Sequence, residues 1–292
     1  MYKPEGIISS MVTPFDEEGK VSENMLRKLI TRQIKAGSKG IGITANTGEF
    51  INLTFEDIKE IIDITIDEVK GRTGVIVGAL SPSMRFNIKI ANYAKYAKAN
   101  AILITTPYYL SPSKEGLFEY FREVGEVGIP MVVYNHPYKT PYDLNEDMID
   151  RLLEIKTFVA IKDVDSSIES IVKKIRLIDN RISYLEGRDE LAFYSFLMGG
   201  HGGFLSLSNL IPGMLIKMYN YSKSGDITKA KEIHLKVSEL CKSIYVDDYP
   251  VALKEGLEML GYNAGKVRAP LQGLKGSSRE NLKNSLKKLG LL

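Results

Sequence analysis

Short apolar, β-branched runs alternate with stretches of helical periodicity along most of the chain. Residues 7–12 are β-prone and close on Thr13-Pro14. Met25, Leu26, Leu29, Ile30 and Ile34 then share one helical face, with Gly37 placed as a C-cap. The same unit recurs: a strand over 40–45 and a helix over 54–70, 75–79 and 84–99, 101–105 and 113–127. It continues with 130–134 and 145–154, then 158–161 and a helix opened by a capping box at Ser166-Ser167-Ile168-Glu169. That helix shows an apolar face of Ile168, Ile171, Val172, Ile175 and Ile178. Strands at 182–186 and 203–206, with helices at 191–198 and 211–222, complete the series. The runs are continuous rather than alternating, as expected of strands buried on both faces.

Eight strand-then-helix units predict an α/β fold, a (β/α)8 TIM barrel over residues 1–224. An open doubly wound sheet is the alternative. It ordinarily carries a glycine fingerprint after its first strand, and none follows residues 7–12. Residues 225–292 keep helical periodicity without strand-like runs, at 227–245, 250–260 and 277–291. They are expected to form a helical extension packed on the barrel.

Composition narrows the classes of partner. Lysine and arginine number 39 against 36 acidic residues, and they are dispersed along the chain, so nucleic-acid binding is not indicated. The single cysteine, Cys241, excludes an internal disulfide and reads as a core residue of a helix. No apolar stretch reaches the ~18 residues of a membrane span and no leader pattern is seen, so a cytoplasmic location is expected.

A barrel of this kind carries its chemistry at the carboxyl ends of its strands. Those positions hold Asn46-Thr47-Gly48-Glu49, Pro107-Tyr108-Tyr109, Tyr134-Asn135-His136-Pro137-Tyr138-Lys139, Lys162, and Glu186-Gly187-Arg188-Asp189. Lys162 ends an apolar strand, where desolvation would free its amine as a nucleophile. Tyr134 can shuttle a proton, and Thr47 with Gly48 can offer a hydroxyl and backbone N–H groups to a carboxylate. His136, His201 and His234 are dispersed, and no metal site is expected. Asp163 and Asp165 read as caps of the following helix, Asp189 as an N-cap or a substrate contact, and Tyr108 and Tyr109 equally as packing aromatics.

Taken in order, Thr47-Gly48-Glu49, Pro107-Tyr108-Tyr109, Tyr134-Asn135-x-Pro137, Ile161-Lys162-Asp163 and the glycine-rich 199–203 segment resemble the dihydrodipicolinate synthase / N-acetylneuraminate lyase family. The resemblance spans the whole chain. It implies class I chemistry without an added cofactor, in which Lys162 forms an imine with pyruvate or another 2-oxo acid. Tyr134 would move protons at the reacting centre, Thr47 and Gly48 would hold the carboxylate, and the backbone of Phe204 would help set the imine geometry. Tyr109 would reach the neighbouring subunit's site in a homotetramer built as a dimer of dimers.

Two positions depart from the synthase pattern. Asn46 stands where a relay hydroxyl is expected, and Lys139 where an arginine would bind the aldehyde's carboxylate. Together with Gly48-Glu49-Phe50, they point to cleavage, condensation or dehydration of a 2-keto-3-deoxy sugar acid. The alternatives are 4-hydroxy-tetrahydrodipicolinate synthesis from pyruvate and aspartate semialdehyde, and a non-catalytic binder of 2-oxo acids.

Overall fold

Eight short parallel strands pair in chain order and close β1 onto β8 in the computed structural model, which describes residues 2–292. They are β1 Gly6–Ser10, β2 Gly40–Ile43, β3 Gly74–Ala79, β4 Ala101–Thr105, β5 Met131–Asn135, β6 Phe158–Asp163, β7 Ser183–Glu186 and β8 Gly202–Leu205. The helices between them are α1 Glu23–Ala36, α2 Phe55–Val69, α3 Met84–Tyr96, α4 Lys114–Gly125, α5 Glu146–Leu152, α6 Ile168–Ile178 and α7 Ala192–Leu197. After β8 come α8 Pro212–Ser224, α9 Ile227–Ile244, α10 Val251–Met259 and α11 Gly276–Lys288. The architecture is the expected (β/α)8 TIM barrel with C-terminal helices.

Every residue of all eight strands is buried, which is why they read as unbroken apolar runs. Helix limits follow local chemistry. Thr54 and Asp57 form a reciprocal capping box at the start of α2, and Gly37 ends α1 at φ 98°. Among the described residues, no helix is long and apolar enough to cross a membrane.

Three local expectations are corrected. The α6 cap is Ser167, whose hydroxyl accepts from the Ser170 N–H, while Glu169 pairs with Lys173 at 2.6 Å. The buried face of α6 is Ile171, Lys174 and Ile178, and Ile168 is exposed. Asp163 does not cap that helix. It is the last residue of β6, fully buried and bonded to Lys174. A short 3-10 turn at Leu207–Asn209 escaped the periodicity because three residues show none. It is held by Asn209, which donates to Ser10 O at 2.7 Å and accepts from Val12 N at 3.1 Å.

The chain after the barrel is tied to the mouth of the barrel by buried charge. Helix α9 packs on α8 and α11. Lys254 of α10 meets Glu49, just after β2, at 2.7 Å, and both side chains are buried. Burial lowers the Lys254 amine to about 8 despite this partner. The Phe15 ring lies 4.1 Å from the Lys254 ammonium and 4.3 Å from the Arg268 guanidinium, which itself forks onto Asp57 at 3.0 Å and closer.

Breaking such a pair strands a buried charge. Lys254→Met is expected to cost about 3–5 kcal/mol of stability in urea titration, and the added change Glu49→Gln to restore much of it. A single-variant loss below ~1 kcal/mol would show that the pair does not fasten this segment.

Candidate active site

Strand alternation sends neighbouring residues of β6 to opposite sides of the barrel wall. Lys162 enters a cavity of about 320 Å³ at the carboxyl end of the strands, shared with Thr47, Tyr134 and Phe204. Asp163 points the other way, towards α6. There it accepts from Lys174 at 2.8 Å, Asn135 at 2.9 Å and the Tyr184 hydroxyl at 3.2 Å. Burial alone would lower the Lys174 amine, but Asp163, Asp143 and Asp165 outweigh it and hold the amine above its usual range.

Lys162 has no such escort. It is 4% exposed, and its nitrogen lies 4.2 Å from the Tyr134 ring centre and 4.4 Å from that of Phe204. Burial lowers the amine to about 7, with Asp189 pulling more weakly in the opposite direction. The aromatic faces favour an adjacent cation without supplying a proton acceptor. A substantial fraction of free amine at neutral pH follows.

Tyr134 lies beside Lys162 in the β5–β6 register. Burial raises its phenol, and the neighbouring Tyr249 adds to the rise. Phe204 presents its ring to Lys162. Room for that ring comes from Gly42 of β2, where a Cβ would lie 2.1 Å from it. His136, its ring centre 5.3 Å from that of Tyr134, is lowered to about 3 by burial and by Lys139 and Lys162, so it is neutral.

The predicted site residues do not all meet. Thr47 lines the cavity, and its hydroxyl contacts Ser10 and Tyr249 at 2.8 Å each. Gly48 is engaged in the turn: its N–H donates to Ala45 O at 3.0 Å, and its carbonyl accepts from Thr13 at 2.7 Å. Asn46 and Lys139 sit together at the cavity mouth, the ammonium donating to Asn46 Oδ1 at 3.4 Å. Tyr109 points away from the cavity in this chain, 94% exposed at φ 72°. Tyr108 instead lines an adjoining cavity of about 290 Å³ that shares Asn46, Tyr134, His136, Lys139 and Tyr249.

A second group had not been singled out as site residues. Tyr245 and Tyr249, from the segment between α9 and α10, enter the Lys162 cavity with rings stacked 5.6 Å apart. Tyr245 donates to buried Asp189 at 2.7 Å, and Ser206 does the same at 2.7 Å. The available signal was the pair of tyrosines four apart just before Pro250, at a helix stop. Strand-end reasoning passes over it, because no strand precedes it.

The family model described as the Dihydrodipicolinate synthetase family matches residues 3–289. The 4-hydroxy-tetrahydrodipicolinate synthase of Methanocaldococcus jannaschii is 34% identical over 294 residues, spanning all of both chains. That of Methanopyrus kandleri is 32% identical over all of this chain and 98% of its own. Among solved structures, dihydrodipicolinate synthase from Acinetobacter baumannii, complexed with pyruvate, superposes with a TM-score of 0.95 at 29% identity, each chain fully covered. YagE from E. coli K12, a prophage protein of the same family in complex with pyruvate, gives 0.94 at 27%, with 99% of each chain covered. The chain belongs to the dihydrodipicolinate synthetase family and is a lyase of the class I aldolase type.

Proposed function

We propose that this chain condenses pyruvate with aspartate semialdehyde through an imine on Lys162, as a 4-hydroxy-tetrahydrodipicolinate synthase. The observation that carries the chemistry is the Lys162 amine, buried between two aromatic rings and lowered to about 7. The substrate is supported by the names of the curated relatives, which favour it over the sugar acid expected from the sequence.

The neutral amine attacks C2 of pyruvate, and loss of water leaves an iminium. One methyl proton then departs, its bonding pair forming the C2=C3 bond while the C=N π pair returns to nitrogen. The resulting enamine attacks the aldehyde carbon, and the aldehyde oxygen takes up a proton; the semialdehyde's own amino group then adds to C2, passes a proton to the Lys162 nitrogen and expels it as the free amine, closing the ring. Thr47 offers its hydroxyl to the pyruvyl carboxylate, with Gly48 securing the turn that presents it. Tyr134 stands beside the reacting carbons to hold and pass protons. Phe204 walls the imine through its ring. Lys139 provides the cation for the second substrate's carboxylate at the cavity mouth. Tyr109, being exposed, is suited to a neighbouring copy in the proposed homotetramer.

The second reading, a 2-keto-3-deoxy sugar acid, is favoured by one observation. The Asn46 amide faces the cavity and bonds Lys139, offering polar contacts suited to sugar hydroxyls.

Purified protein is expected to turn over pyruvate with aspartate semialdehyde at least ~10-fold faster than it cleaves 2-keto-3-deoxygluconate. The opposite ranking would establish the sugar-acid reading. Lys139→Arg is expected to lower the KM for the semialdehyde by about 3- to 10-fold with little change in kcat, since a planar fork replaces a point charge.

Borohydride with pyruvate is expected to add the pyruvyl mass to the peptide containing Lys162, at a rate falling as pH drops below about 7. The same lowered pKa sets a stability window. The unfolded chain binds the Lys162 proton up to about 10.5, so wild-type stability rises between pH 7 and 10.5. Lys162→Met is accordingly expected to be more stable than wild type at pH 7, by up to about 4 kcal/mol, with the gap closing near pH 10. A gap independent of pH in paired denaturation curves would contradict a buried neutral amine.

A further inference from the structure

Lys139, Lys162 and Arg188 all line the Lys162 cavity, and the described residues that line it include no carboxylate. Lys162 is taken by the imine, and Lys139 is turned to Asn46 at the mouth. That leaves Arg188, whose side chain no step of the imine chemistry uses. His136 feels the same three groups: after burial, Lys139, Lys162 and Arg188 are what keep it neutral. Like charges gathered in one cavity repel one another, and a bound anion relieves them.

The loop after β7 holds Arg188 in place for such an anion. Its neighbours on both sides are fixed. The Gly187 N–H donates to Asp163 O at 2.6 Å. Asp189 is fully buried and accepts from the Ser206 and Tyr245 hydroxyls at 2.7 Å each and from the Leu207 N–H at 3.1 Å. The Arg188 N–H itself donates to Glu186 Oε1 at 2.8 Å, and its carbonyl accepts from the Leu191 N–H at 3.1 Å. Position 187 has to be small, since a Cβ there would lie 2.5 Å from Val164 and 3.1 Å from Lys162 Cε. The guanidinium is anchored at one nitrogen only. Nη2 donates to Glu190 at 3.0 Å, while Nε and Nη1 have no hydrogen bond among the described residues, and the side chain is 34% exposed. A planar fork held in this way keeps N–H groups free for a carboxylate.

We propose that Arg188 determines specificity for the second substrate by binding the carboxylate of the aldehyde, with Lys139 as the other cation at the mouth. The inference deepens the reading above and rests on it: pyruvate's own carboxylate goes to Thr47, so the charge of Arg188 is left for the aldehyde. Two cations and no lining carboxylate also disfavour an ammonium, so the semialdehyde's amino group is favoured as the free amine that closes the ring.

Steady-state kinetics with aspartate semialdehyde at saturating pyruvate read the aldehyde's binding, and borohydride trapping of pyruvate alone reads the imine. Arg188→Gln is expected to raise the KM for the semialdehyde about 10- to 100-fold, with kcat and trapping yield within about 2-fold of wild type. Arg188→Lys is expected to recover part of that loss, because it restores the charge without the fork. A KM for Arg188→Gln within about 2-fold of wild type overturns the proposal. So does a loss of trapping in step with the rise in KM, which would make the arginine a support for the loop. Where Arg188→Gln does not fold, Arg188→Lys decides by the same two measurements, with a KM raised at least about 3-fold expected. The underlying reading fails separately, in the wild type: protein that traps pyruvate but consumes no semialdehyde overturns the substrate, and protein that traps no pyruvate overturns the imine.

Discussion

The site depends on keeping one lysine amine out of water and away from a close carboxylate. Lys162 and Asp163 are adjacent in sequence, and both are buried at the end of β6. Were the two side chains in contact, the pair would hold the lysine charged. Strand alternation separates them across the barrel wall, and α6 supplies Lys174 to take up Asp163. Leaving that aspartate unpaired would cost several kcal/mol. Lys174 therefore holds the Asp163 charge on the far side of the strand, away from the Lys162 amine.

A second constraint joins the chain beyond the barrel to the barrel mouth. Glu49 lies two residues after Thr47, and Lys254 lies five after Tyr249. Their buried pair fixes the two loops that bring the Thr47 and Tyr249 hydroxyls within 2.8 Å. Phe15, from the loop after β1, lies against both Lys254 and Arg268. Three distant segments thus share one anchor. The cavity's floor is barrel, while part of its wall comes from the segment between α9 and α10.

Much of the fold was legible because burial on both faces leaves continuous apolar runs, and all eight strands appear where those runs lie. Their edges were less legible, since burial is not pairing. Val12 is apolar and buried, yet it lies beyond β1, and its N–H is held by the Asn209 side chain. The α6 face misled because a lysine with an aspartate partner can replace an isoleucine in a buried layer. At the site, strand-end position identified Lys162, Tyr134 and Thr47 as cavity residues. It was silent on Tyr245 and Tyr249, whose place depends on the path of the chain after α9.

Asn46 and Lys139, read as separate departures, are one contact in space. A lysine is a hydrated point charge on a flexible stem and needs a fixed acceptor if it is to stand at a defined place. The Asn46 oxygen is such an acceptor. The asparagine therefore has a positioning use that is independent of any relay. With its oxygen on Lys139, the Asn46 amide has no need to carry a proton. In the proposed reaction, recognition of the second substrate at the mouth and proton handling beside the imine would fall to different residues. Under the proposed reaction, a change at Lys139 would alter which aldehyde is held while leaving the chemistry of the imine with Lys162 and its hydroxyl neighbours.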